Sequence, residues 1–78
     1  MSNLDKYDKV FSEVMSVPSE SLFNLKFKES ENWDSVGHMT LIAALEDAFD
    51  IFLEVDDMMD ITSYVQGKDV LAKYGIEL

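Results

Sequence analysis

Asp34-Ser35-Val36 is the tripeptide in this chain with the clearest chemical potential. It stands where a long, weakly periodic stretch meets the longest helical pattern. A serine there presents its hydroxyl beside free N–H groups and the positive end of a helix dipole. A phosphate attached to Ser35 would be stabilised by both. Asp34 holds the turn as an N-cap, and it can approach a metal ion carried by an incoming enzyme. Most helix-start serines do no more than cap, so the pair alone assigns no function. His38 follows one turn later, on the apolar arc of the same helix. A structural place in the core is expected for it, ahead of a contact to phosphate.

What the chain lacks narrows the chemistry further. There is no Cys, so no disulfide, thiolate nucleophile or Cys-bound zinc exists. One His excludes a His-rich metal centre, and no metal ligand set is expected. No nucleophile–base pair is visible, so no catalytic residue is assigned and the chain does not read as an enzyme. Glu54 to Asp60 lacks the spacing and the loop glycine of an EF-hand.

The charge is strongly negative, with 16 acids against 6 bases and a formal net of −10. It is also uneven. Asp34, Glu46, Asp47, Asp50, Glu54, Asp56, Asp57 and Asp60 fall between residues 33 and 61, where no Lys or Arg occurs. Phosphates would be repelled, so nucleic acid is not an expected partner. The segment reads either as a solvated face or as a steering surface for basic proteins. No apolar run is long enough to cross a membrane. Met1-Ser2-Asn3-Leu4-Asp5 lacks the pattern of a signal peptide, and a cytoplasmic monomer is the expectation.

With 78 residues the chain is expected to form a single domain over 1–78. Leu4, Tyr7, Phe11 and Val14 recur at helical spacing, widened by Val10 and Met15. They predict a first helix over 3–16, capped by Ser2 or Asn3 and closed before Pro18. Residues 17–33 predict a long loop with one helical turn at Ser19–Leu22. Phe23, Leu25 and Phe27 alternate as a strand would, and Ile51-Phe52-Leu53 could pair with them, but the loop is preferred. Asp34 to Asp50 is the clearest helix. Leu41, Ile42, Leu45, Ala48 and Phe49 form its buried stripe, with Val36, Thr40, Ala43, Ala44 and Asp47 opposite. A short helix capped by Asp56 follows. The last helix is capped by Thr62 or Ser63, with Gln66 completing a capping box and Gly75 marking its end. Gly67 is expected to weaken it by about 1 kcal/mol against Ala. The fold class is therefore all-α: a small bundle of three main helices plus one short helix.

Taken together, Asp34-Ser35-Val36, the unbroken helix, Leu45-Glu46-Asp47-Ala48-Phe49, the acidic short helix and the last helix resemble an acyl carrier protein over nearly the whole chain. The family motif reads Asp-Ser-Leu, then a helix ending Leu-Glu-x-x-Phe. The resemblance implies an acyl-carrier-like bundle and a covalent 4′-phosphopantetheine on Ser35, with Asp34 as part of the motif. The thiol of that arm would carry an acyl or aminoacyl group as a thioester. Implied partners are a phosphopantetheinyl transferase, an acyl-loading ligase or transferase, and downstream biosynthetic enzymes with basic docking surfaces. Val36, Thr40, Ala43 and Asp47 form the expected recognition face. Asn32-Trp33 replaces the usual Leu-Gly-x before Asp-Ser, and Gly37 and Thr40 stand where acids are usual. These departures imply a carrier for a specialised lipid, surface-polysaccharide or secondary-metabolite route. Trp33 is expected to cover the core at the loop end, and Met39 and Met58 to border an acyl cavity. The competing reading is an acidic helical interaction module without a prosthetic group.

Overall fold

The computed structural model describes residues 2–29 and 32–78, so Met1 and part of the expected loop, residues 30 and 31, lie outside the described residues. Helix α1 spans Asn3–Met15. Ser2 starts it with a full capping box: its Oγ accepts from the Asp5 N–H, and the Asp5 carboxylate accepts from the Ser2 N–H. Ser16 stops it in the left-handed conformation at φ 57°. Ser12 locks that stop, because its carbonyl accepts the Ser16 and Val17 N–H groups and its hydroxyl donates to the Val17 carbonyl. The helix buries Tyr7, Phe11 and Met15, with Val10 and Val14 half-buried beside them. Leu4, expected on the same stripe, is exposed because it lies in the first turn, before the helix meets its neighbours.

A 3₁₀ turn at Ser19–Asn24 drops Leu22 into the core. The preferred loop follows, and Phe23, Leu25 and Phe27 form no strand among the described residues. One antiparallel bridge does form, between Lys26 and Ser63 rather than with residues 51–53. Its bonds run from the Phe27 N–H to the Thr62 carbonyl and from the Tyr64 N–H to the Leu25 carbonyl.

Helix α2 spans Ser35–Phe49 and ends at Asp50, whose φ is 53°. Its inner face buries His38, Leu41, Ile42 and Leu45. Ala48 and Phe49 are only half-buried. Ala44, expected on the open arc, is half-buried instead, since it faces α1 across a groove floored by Val10 and Ala48.

Helix α3 spans Val55–Asp60. Its N-cap is Glu54, with no side-chain cap bond, and the expected cap Asp56 lies inside the first turn. The start is set by tertiary bonds instead. The Leu53 N–H donates to Glu46 Oε2 at 2.9 Å, and the Glu54 N–H donates to the Tyr74 hydroxyl at 2.8 Å.

Helix α4 spans Tyr64–Ala72, and Ser63 Oγ accepts from the Gln66 N–H. Gly67 has a reason that helix propensity does not show. A Cβ there would lie 2.2 Å from the Tyr7 hydroxyl oxygen, so only glycine leaves room for the Tyr7 side chain, whose hydroxyl donates to the Tyr64 carbonyl. Gly75 adopts φ 79° beyond the helix end. Trp33, Tyr7, Phe11 and Tyr64 form an aromatic centre, in which the Phe11 ring lies 4.7 Å from Tyr7, 5.5 Å from Trp33 and 5.4 Å from Tyr64. The described residues thus form a small all-α bundle of three main helices and one short one.

Candidate functional site

Ser35 is the first residue of α2, and it is exposed. Asp34 shapes this end. Its Oδ1 accepts the Gly37 N–H at 2.8 Å, and its carbonyl accepts the His38 N–H at 2.8 Å. The N–H groups of Ser35 and Val36 lie in the first turn, where no intrahelical acceptor exists. Gly37 is required for this close entry, since a Cβ there would sit 2.0 Å from the Asn32 carbonyl oxygen. Among the described residues no base is hydrogen-bonded to the Ser35 hydroxyl.

Ser35 opens onto a cleft of about 340 Å³ lined by Phe27, Lys28, Ser35, His38, Met39 and Met59. The loop brings in Phe27 and Lys28, and α3 brings in Met59. Met39 and Met59 are 60% and 70% exposed, so an apolar rim stands open to solvent. Met58, expected at this rim, turns inward and packs against the core, so Met39 and Met59 form the rim instead.

His38 is 8% exposed and committed on both sides. Its Nδ1 accepts from Trp33 Nε1 at 3.0 Å, and its Nε2 lies 2.8 Å from the Met58 carbonyl oxygen. These partners require an N–H at Nε2 and a lone pair at Nδ1. The structural role expected for His38 fits, with neither ring nitrogen open to a phosphate. Trp33 is fully buried, deeper than a cover over the core. It stacks on His38 at an interplanar angle of 17°.

Val36, Thr40, Ala43 and Asp47 all lie exposed along one arc of α2, and Val36 is 76% exposed. The Thr40 hydroxyl turns back to the Val36 carbonyl at 3.1 Å. The acids of residues 33–61 are not equivalent. Glu46 and Asp34 hold backbone N–H groups, and Asp57 accepts from the Tyr74 hydroxyl at 2.6 Å and from Lys73 at 3.2 Å. The Tyr74 bond, with Lys73 adding to it, holds the Asp57 carboxyl below the usual range, and Asp57 in turn raises Lys73. Asp47, Asp50, Glu54, Asp56 and Asp60 are exposed. No group of three or more His, Cys, Asp or Glu among the described residues is arranged to hold a metal ion. No helix among them is long and apolar enough to cross a membrane.

Sequence reasoning named Ser35, Asp34, His38 and Met39. It missed Lys28 and Met59 as cleft residues, and Tyr74 as the anchor of α3. Only Phe27 carried a signal, an apolar residue spaced two from Leu25 in a polar loop. Comparison with family models, with curated proteins and with solved structures found no match.

Proposed function

We propose that this protein is a carrier that holds an acyl or aminoacyl group as a thioester on 4′-phosphopantetheine attached to Ser35, and presents it to partner enzymes of a specialised biosynthetic route. The observation that carries the reading is the exposed Ser35 hydroxyl at the first residue of α2, opening on a cleft with an apolar rim. Asp34 and Gly37 set the helix entry so that this hydroxyl stands clear of the core. The thiol chemistry would belong entirely to the prosthetic group. Val36, Thr40, Ala43 and Asp47 would meet a phosphopantetheinyl transferase, a loading ligase or transferase and later enzymes through basic docking surfaces.

Incubation with coenzyme A, Mg²⁺ and a broad-specificity transferase tests the reading by intact mass. The wild type gains one phosphopantetheinyl group and Ser35→Ala gains none. An unmodified wild type, alongside a control carrier that is modified, overturns it. A second reading, an acidic interaction module without a prosthetic group, draws support from Phe52. That side chain is 91% exposed between α2 and α3 in acidic surroundings.

A further inference from the structure

Among the described residues lining the cleft beside Ser35, Lys28 is the one cation. Its backbone is held in the left-handed region at φ 68°. Its N–H donates to the Trp33 carbonyl at 2.7 Å, which ties this residue to the chain two positions before Ser35. The side chain runs along the apolar wall, with Nζ 5.6 Å from the Phe27 ring centre. Lys9 and Lys73 are paired to Glu13 and Asp57, whereas no carboxylate among the described residues pairs with Lys28. His38 cannot serve as the donor, because its N–H is given to Met58 and its other nitrogen accepts from Trp33.

We propose that Lys28 is the positioning cation for the phosphodiester of the group carried on Ser35, an inference that rests on the carrier reading above. A phosphodiester adds one negative charge to a chain whose formal net is already −10. It adds that charge at the head of a segment with eight acids and no Lys or Arg. Without a local cation the attachment deepens repulsion across α2 and α3. With Lys28 in the same cleft, the attachment forms an ion pair that bridges the loop and α2. The modified form is then the more stable one, and the phosphate end of the arm is fixed at the loop side of the cleft.

The test compares melting temperatures of the unmodified and phosphopantetheinyl forms in about 10 mM salt, where screening is weak, and again near 1 M, where it is strong. In the wild type, modification raises the melting temperature by about 1–5 °C at low salt, and this gain fades at high salt. In Lys28→Gln, modification lowers it. A glutamine is no more strained than lysine at this φ, so the unmodified variant folds normally. Lys28→Arg restores the gain, and Lys9→Gln, equal in net charge but remote, keeps it. An equal modification shift in wild type and Lys28→Gln overturns the role of Lys28 and leaves the carrier reading intact. A wild type that takes up no phosphopantetheinyl mass overturns both, and that result is read before any melt.

Discussion

The His38 imidazole joins α2 to α3 through a single hydrogen bond, from Nε2 to the Met58 carbonyl 2.8 Å away. The same ring fixes the Trp33 indole through Nδ1. Three segments that border the cleft (the loop end, α2 and α3) therefore meet at one side chain. Helix α3 has no fully buried residue, so polar pins hold it, along with the packing of Met58 against the core. His38 secures its C-terminal half, and the Tyr74 hydroxyl, bonded to the Glu54 N–H and to Asp57, secures its start.

Replacing His38 with Ala should leave the buried Trp33 Nε1–H without an acceptor. A buried donor without a partner costs about 1–3 kcal/mol. Urea unfolding should register that loss. Hydrogen exchange should show Met58, Met59 and Asp60 amides losing more protection than those of α1. Protection lost evenly across α1 and α3 would mean that His38 only fills space.

Gly67→Ala gains about 1 kcal/mol in helix propensity and should still destabilise. Its Cβ would meet the Tyr7 hydroxyl at 2.2 Å, so the buried Tyr7 ring must shift from its bond to the Tyr64 carbonyl, at a cost of about 1–3 kcal/mol. Removing the hydroxyl relieves that clash. In a Tyr7→Phe background the same substitution should cost less, and a double-mutant cycle by chemical denaturation measures the coupling. Additive effects would show that the Tyr7 ring yields to the new Cβ freely.

These relationships explain which parts of the structure the sequence disclosed. Helices α1 and α2 were legible because capping residues and apolar spacing act within one helix: Ser2 with Asp5, Asp34 with Gly37, and the Leu41–Leu45 stripe. The start of α3 was not. Asp56 has a better local propensity to cap than Glu54, but the Glu54 N–H finds its acceptor on Tyr74, twenty residues away. Ala44 differs from expectation for a related reason, since α1 stands over it across a groove and no periodicity within α2 reports that neighbour. At the site, Asp34, Ser35 and His38 were visible because they share one helix end. Lys28 and Met59 reach the cleft from a loop and another helix, and no spacing rule links them to Ser35.

The recognition face can be tested apart from the fold. Val36 and Ala43 are exposed on α2, so arginine at either position should unfold nothing. Val36→Arg or Ala43→Arg should nevertheless slow phosphopantetheinylation, because a new cation opposes a basic enzyme surface. Initial rates by mass spectrometry, with circular dichroism as the folding control, decide the matter. Wild-type rates in both variants would move the docking surface elsewhere.

Alkaline pH should expose the buried tyrosines. Burial pushes the Tyr7 hydroxyl well above its usual value of 10.0, and the Tyr64 and Asp8 charges add to this. Burial also raises Tyr64, whose hydroxyl donates to Asp8. In both cases the folded state keeps its proton where the unfolded chain loses it. Their contribution is complete below the unfolded value and is lost as pH rises above about 10. Tyr7 alone should remove about 1.4 kcal/mol for each pH unit. Tyr7→Phe should therefore unfold with a shallower dependence between about pH 10 and 11.5. Equal slopes would show that Tyr7 ionises freely in the native state.

Salt should separate the exposed acids from the paired one. Asp47, Asp50, Glu54, Asp56 and Asp60 crowd the end of α2 and α3 without a base in their own segment. The screening length falls from about 30 Å at 0.01 M to about 10 Å at 0.1 M, so added NaCl should weaken their repulsion and raise the melting temperature. MgCl₂ should act at lower concentration by its higher charge. Asp57 works the other way. Its carboxyl is held low first by the Tyr74 hydroxyl and then by Lys73, so its support is present at neutral pH and is lost as pH falls through its depressed value. Asp57→Asn reduces the acidic charge but leaves one neutral oxygen in place of the carboxylate pair that accepts from Tyr74 and Lys73, which weakens the anchor at the start of α3. It should therefore lower the melting temperature at neutral pH, whereas Asp50→Asn, which removes an exposed charge and suits the left-handed backbone there, should raise it at low salt. The Asp57→Asn deficit should also shrink toward acidic pH, where the wild type loses the same interaction. If both substitutions raised the melting temperature equally, net charge alone would govern this surface and the Tyr74 anchor would have no weight.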